Sequence, residues 1–155
     1  MEKSKNITRW GIGPRFALFS IIYAAIIVFI GINYLNTNIP IDSKILFFVG
    51  VVLIIMDILV YSLSVRRVMK AFGEGRLETK GIYKYARHPI YASWIVFIIP
   101  GTMLIYGKWL GLTIPIFMYL VFRILIGKEE KMLEERFGRK YLEYKKKTGS
   151  IFPKF

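Results

Sequence analysis

Four apolar runs dominate the chain: Phe16 to Leu35, Ile45 to Leu63, Ile90 to Tyr106 and Trp109 to Ile126. A helix rises about 1.5 Å per residue and the hydrocarbon core of a bilayer is about 30 Å thick, so roughly 17 to 25 apolar residues make one crossing. The pattern predicts four transmembrane helices. Helix is the element to expect, because an open strand in lipid leaves its backbone polar groups unpaired. Only Gly107 and Lys108 separate the last two runs, so these are expected to form a helical hairpin.

The polar residues collect between and outside these runs. Lys3, Lys5, Arg9 and Arg15 precede the first run, and Arg66, Arg67, Lys70, Arg76, Lys80, Lys84 and Arg87 fill the central connection. The tail from Gly127 is rich in lysine and arginine, whereas the other two connections hold only Lys44 and Lys108. By the positive-inside rule both termini and the central connection are expected on the cytosolic side. The first run, about twenty residues long with no small-x-small site after Leu35, reads as a signal anchor and not as a cleaved signal peptide. Asp57 lies within the second run and Arg123 within the fourth. A charge at mid-bilayer needs a partner, so the two are expected to pair.

Composition sharpens this picture. Of 155 residues 55% are hydrophobic, and 23 Lys+Arg against 10 Asp+Glu give a net charge of +13. Because the basic residues interrupt apolar runs, anionic lipid headgroups are the expected counter-charge and nucleic acid is not an expected partner. The absence of cysteine excludes disulfides, thiolate metal sites and a cysteine nucleophile, and no metal site is expected. One domain is expected over residues 1–155: two N-terminal spans in 1–63, and a ligand-binding half in 64–155.

The densest chemistry lies between Arg76 and Tyr91, R-L-E-T-K-G-I-Y-K-Y-A-R-H-P-I-Y, which contains the single histidine. Gly81 permits a sharp turn or a close backbone approach. Pro89 suits the first turn of the third span, leaving amides at that helix start free to attract an anion. Arg87 and His88 would stand at this mouth, with Tyr83, Tyr85 and Tyr91 as stacking surfaces. Read alone, Arg-His-Pro-x-Tyr is equally an interfacial anchor, and the glutamates from Glu129 onward are equally an exposed, charge-paired helix. Against this stands the hairpin, which would bring Glu129 back to His88.

Taken together, G-I-Y-x-x-x-R-H-P-x-Y, the hairpin, E-E and F-G-x-x-Y-x-x-Y, spanning Leu77 to about Phe152, resemble the isoprenylcysteine carboxyl methyltransferase family, whose wider relatives include phospholipid methyltransferases. The resemblance implies an all-α integral membrane protein whose central loop and helical tail form a pocket for S-adenosyl-L-methionine. It places Arg76, Leu77, Glu78 and Tyr83 at the nucleoside end, His88, Pro89, Ile90 and Tyr91 at the hairpin mouth, and Glu129 on the returning helix. No G-x-G-x-x-G follows a strand, in keeping with a cofactor site that is not a Rossmann fold. The family carries an arginine four residues before the first glutamate, facing the acceptor's carboxylate. Here that position is Leu125, and the role falls to Arg87 or Arg123.

Methyl transfer from a sulfonium is an in-line displacement, so the protein's work is mostly alignment, worth roughly 7 to 11 kcal/mol. A lipophilic small molecule or prenylated substrate reaching the pocket from the bilayer is the expected acceptor, with membrane lipids as further partners. Alternatives are a phosphatidylethanolamine-type amine acceptor, a membrane reductase using a nicotinamide cofactor, and a non-enzymatic adaptor docked on anionic lipid. The location expected is the cytoplasmic membrane in a prokaryote or the endoplasmic reticulum in a eukaryote.

Overall fold

The computed structural model describes residues 11–154, all helical apart from turns and two isolated bridges. Lys3, Lys5 and Arg9, which entered the orientation argument, lie outside the described residues.

The first helix, α1 (Gly13–Asn33), carries Pro14 in its first turn, where a missing N–H costs nothing. The second, α2 (Ser43–Gly73), is capped by Asp42, whose carboxylate accepts from Lys44 N at 2.7 Å. It runs well past Leu63, so Arg66, Arg67 and Lys70, expected in a loop, sit on its last turns. A short helix, α3 (Pro89–Ser93), passes through a π-helical turn (Trp94–Ile98) into α4 (Ile99–Ile105). After Gly107 and Lys108 a 3₁₀ turn leads into α5 (Thr113–Phe137), and Gly138 separates this from α6 (Arg139–Lys147).

Three of these helices are long and apolar enough to cross a membrane: Gly13–Asn33, Ser43–Gly73 and Trp109–Phe137. The third expected span is present as the shorter apolar helix Pro89–Ile105. The fourth is longer than expected, because helical geometry continues from Ile126 through Glu129 and Glu130 to Phe137.

Packing divides the bundle into two pairs. Along α2 the buried positions Leu46, Gly50, Asp57, Ser64 and Ala71 recur at intervals of four or seven, making one stripe against α3 and α4. Gly50 meets the backbone of Gly101 so closely that a Cβ on either would overlap the other helix, the close approach typical of helices packed in lipid. The other pair is α1 with α5, joined by Phe16, Ile114, Met118, Val121, Phe122 and Ile126 in the main core cluster. The outward faces carry exposed Ile21, Phe29, Ile32, Phe48 and Leu59, an apolar girdle suited to acyl chains.

The expected Asp57–Arg123 pair does not form. Asp57 is buried on the α2 stripe with Oδ1 lacking a hydrogen-bond partner among the described residues. Arg123 is exposed on α5 and donates to Tyr119 Oη at 3.1 Å. It lies one residue past buried Phe122, a rotation of about 100° that turns it off the buried face.

Candidate active site

The connection from α2 to α3 is held from below by the chain's own tail. Arg87 N donates to Gly149 O and His88 N to Ser150 O, each at 2.9 Å, in a short parallel pairing. The inner face of α6 supports the same loop: Tyr144 Oη donates to Tyr83 O at 2.5 Å, and Tyr141 is completely buried. Ile151 completes the tail's docking by entering the main core cluster.

Two adjacent glutamates of α5 bracket His88. Its Nδ1 stands 3.6 Å from Glu129 Oε1 and its Nε2 3.3 Å from Glu130 Oε1. Burial disfavours the charged imidazole, yet the two carboxylates outweigh it and hold His88 above its ordinary value. Glu130 is the hub of a buried network, reached by Arg87 Nη2 at 2.5 Å and Nε at 3.1 Å and by Lys145 Nζ at 3.0 Å. Arg87 Nη1 also donates to the carbonyls of Lys145 and Thr148. Glu129 faces the other way, its Oε2 accepting from Tyr91 Oη and from Ile12 N, each at 3.1 Å.

A second acidic point stands across the cavity. Glu78 is buried, with Oε1 accepting from Lys80 N at 2.9 Å and Thr79 N at 3.1 Å and Oε2 from Arg76 Nη1 at 2.9 Å. Burial works against its charge, but these donors hold its carboxyl below the ordinary range. Arg76 is paired on its other side with Glu74. Tyr83 is buried and donates from Oη to Ser64 O at 3.2 Å, joining the loop to α2.

These elements enclose one cavity of about 670 Å³. Arg76, Leu77, Glu78, Tyr83, His88, Pro89, Ile90, Tyr91 and Glu129 all line it, as does Arg87. Arg123 does not. The hairpin therefore brings the loop residues and Glu129 together, but the two cations expected to face an acceptor's carboxylate are otherwise engaged: Arg87 on Glu130 and the tail, Arg123 on Tyr119. The remaining guanidinium on the cavity wall is Arg136, which lies over Phe72 and Phe137 at 5.6 and 5.3 Å and has no acidic partner among the described residues.

Several residues of the site carry no clear mark in the sequence. Glu130 and Lys145, which belong to the network around Arg87 and His88 and not to the cavity lining, fall within legible motifs, but nothing in the sequence says which of two adjacent glutamates faces which partner. Tyr141 and Tyr144 share one face of α6 through their i, i+3 spacing, a signal that was available in F-G-x-x-Y-x-x-Y. Gly11, Gly13, Pro14 and Ala17 of the N-terminal segment and Tyr61 of α2 also line the cavity, so its walls extend outside residues 64–155.

A family model described as phospholipid methyltransferase matches residues 41–140. The chain belongs to the phospholipid methyltransferase family. Among its curated relatives, protein-S-isoprenylcysteine O-methyltransferase of Homo sapiens is 32% identical over 77 residues, covering 50% of this chain and 27% of that protein. The Saccharomyces cerevisiae protein of the same name is 40% identical over 78 residues, covering 50% and 32%. A probable protein-S-isoprenylcysteine O-methyltransferase of Oryza sativa subsp. indica is 25% identical over 115 residues, covering 68% and 60%. The matches span less than two thirds of each relative's length. They bear out the resemblance drawn from the Arg-His-Pro-x-Tyr and Glu-Glu motifs.

The residues present also fit the cofactor that the resemblance implies. The cavity is within the usual size of small-molecule sites, about 300 to 1,000 Å³. Its walls are mainly apolar, with carboxylates at Glu78 and Glu129, and the hydroxyl of cavity-lining Tyr141 is buried with no hydrogen-bond partner among the described residues. Carboxylates suit an ammonium and ribose hydroxyls, and a guanidinium suits a carboxylate.

Proposed function

We propose that this chain is an integral-membrane methyltransferase that uses S-adenosyl-L-methionine and acts on a lipophilic acceptor, with a prenylcysteine carboxylate as the favoured substrate. One observation carries the reading: residues from three separated stretches, Arg76, Leu77, Glu78 and Tyr83, then His88 to Tyr91, then Glu129, line a single cavity whose walls are mainly apolar. When bound, S-adenosyl-L-methionine supplies an electrophilic methyl group on a sulfonium. Glu78 and Glu129 accept hydrogen bonds from its hydroxyls or ammonium. Leu77, Ile90, Leu133 and Phe137 exclude water, which protects a reactive methyl donor from hydrolysis. His88 acts between the two glutamates, fixing the orientation of both.

In this reading residues 1–155 work as one membrane domain, with both ends and the Arg76–Tyr91 connection on the cytosolic side, where the cofactor is. The acceptor's apolar portion comes from the bilayer, and Ala17, Tyr61, Val65 and Trp94 receive it at the apolar end of the cavity. A ligand's carboxylate falls to Arg136, the cavity's guanidinium without an acidic partner among the described residues. A second reading, a phospholipid amine as acceptor, is favoured by Leu125 standing where the isoprenylcysteine enzymes carry arginine, and by the description of the matching family.

The test is direct. Calorimetry with S-adenosylhomocysteine is expected to give binding to the wild type that is lost in Glu129→Ala and in His88→Ala. Unchanged affinity in both variants refutes the cofactor site. Incubation with methyl-labelled cofactor in native lipid extract then identifies the acceptor, a labelled prenylcysteine ester supporting the first reading and a labelled phospholipid amine the second.

A further inference from the structure

Glu129 is not positioned by the motif alone. Its Oε2 receives two protein donors, and one of them is the backbone N–H of Ile12, 3.1 Å away and 117 residues distant in sequence. That N–H points inward because the preceding residue, Gly11, adopts φ +49°, the left-handed region that a side chain opposes. A Cβ on Gly11 would run into the Glu129 carboxylate itself. Ile12 is buried in the main core cluster, which fixes the direction of its N–H. Both residues lie outside positions 41–140, the part matched by the family model.

From this geometry we infer that the Gly11–Ile12 turn is a positioning element for cofactor binding: it holds Glu129 Oε2, together with Tyr91 Oη, while Oε1 stands beside His88 Nδ1, so that the carboxylate is fixed in the cavity wall for the ligand. The inference rests on the methyltransferase reading above. Glu129 stands on α5 as a flexible side chain with several rotamers. A hydrogen bond from Tyr91 alone fixes one point, while a second donor from a buried backbone restricts its rotation. The turn also forms part of the cavity wall through Gly11, so a side chain there would both displace the carboxylate and narrow the site.

The experiment compares Gly11 with Gly138, which has a similar positive φ, +53°, but nothing within 4 Å of an added Cβ. Gly138→Ala thus carries the backbone strain without the clash. Gly11→Ala carries both. Gly11→Asn relieves much of the strain, since asparagine tolerates the left-handed region, but keeps the overlap with Glu129. S-adenosylhomocysteine affinity, cofactor KM and acceptor KM are measured on all three in full-length protein, alongside thermal stability.

Both Gly11 variants are expected to bind S-adenosylhomocysteine at least about tenfold more weakly and to raise cofactor KM in proportion, with acceptor KM within about twofold of wild type. Gly138→Ala is expected to lose thermal stability while keeping cofactor affinity. Gly11 variants that bind as wild type does, or a Gly138→Ala that loses as much affinity, overturn the inference while leaving the methyltransferase reading standing. A wild type that binds no S-adenosylhomocysteine overturns both.

Discussion

Arg87 reaches a single oxygen of Glu130 through two nitrogens, Nη2 at 2.5 Å and Nε at 3.1 Å, and so ties the loop before α3 to the fifth helix. Both side chains are about one-tenth exposed. Removing one member of such a pair strands the other charge in a poorly solvated place, and the loss exceeds what the intact pair contributes. Arg87→Ala or Glu130→Ala is therefore expected to destabilise the fold by about 3 kcal/mol. The double variant should cost clearly less than the sum of the two, which a denaturation series on all three proteins would measure. Additive losses would mean that the contact carries no coupling.

His88 gives the stability a pH dependence of definite sign. Its folded-state value is raised above the ordinary 6.5, so its charged form is stabilised by folding. That contribution is complete below the unfolded value and fades as pH rises through the folded one. Thermal midpoints measured from about pH 6 to 9 should fall across this window in wild type, and the fall should be shallower in His88→Gln. Glu78 acts at the other end: with its carboxyl held below the ordinary 4.5, it contributes above that value and the contribution is lost as pH falls through the folded one.

The arginines separate by position. Arg136→Ala removes the cavity guanidinium that has no acidic partner among the described residues, and a charge-assisted contact to a ligand's carboxylate is worth about 1.5 to 3 kcal/mol. It is expected to lower kcat/KM at least about tenfold. Arg123→Ala, outside the cavity, should stay within about twofold. Steady-state kinetics on the two variants decides between them.

Asp57 is a burden on stability in the present fold. It is buried, and Oδ1 finds no donor among the described residues. Asp57→Asn replaces a costly carboxylate with an uncharged group of the same shape, and is expected to raise the melting temperature measured in detergent. A lowered melting temperature would mean that the carboxylate is held by a donor, with the Ser93 hydroxyl the one beside it.

The parts of this architecture that follow from bulk physical patterns were legible in the sequence. Long apolar runs announce helices in lipid, and the two-residue break at Gly107 and Lys108 announces the turn that returns Glu129 to His88. That Leu77, Tyr83, Tyr91 and Glu129 share one cavity is what the family resemblance implies, and nothing in hydropathy or spacing alone would place them together. Helix ends lie beyond the ends of the apolar runs because hydropathy falls at Leu63 and Ile126 while backbone hydrogen bonding continues through charged residues on the same helix. The Asp57–Arg123 pairing failed because two charges at similar depth say nothing about rotation around their helices. The assignments among Arg87, Glu130, Lys145 and the Thr148 carbonyl were beyond reach, since they depend on where α6 turns back after Gly138. Likewise, no pattern links Gly11 to a glutamate in the opposite half of the chain.

The pairing of Arg87 and His88 with Gly149 and Ser150 has a consequence for biogenesis. All of α1 through α6 precede the acceptors of these two amides in the chain. The imidazole's setting is consequently completed only once Gly149 and Ser150 are in place, and a chain cut shortly before Gly149 would keep every helix yet lack the backbone acceptors that seat its histidine.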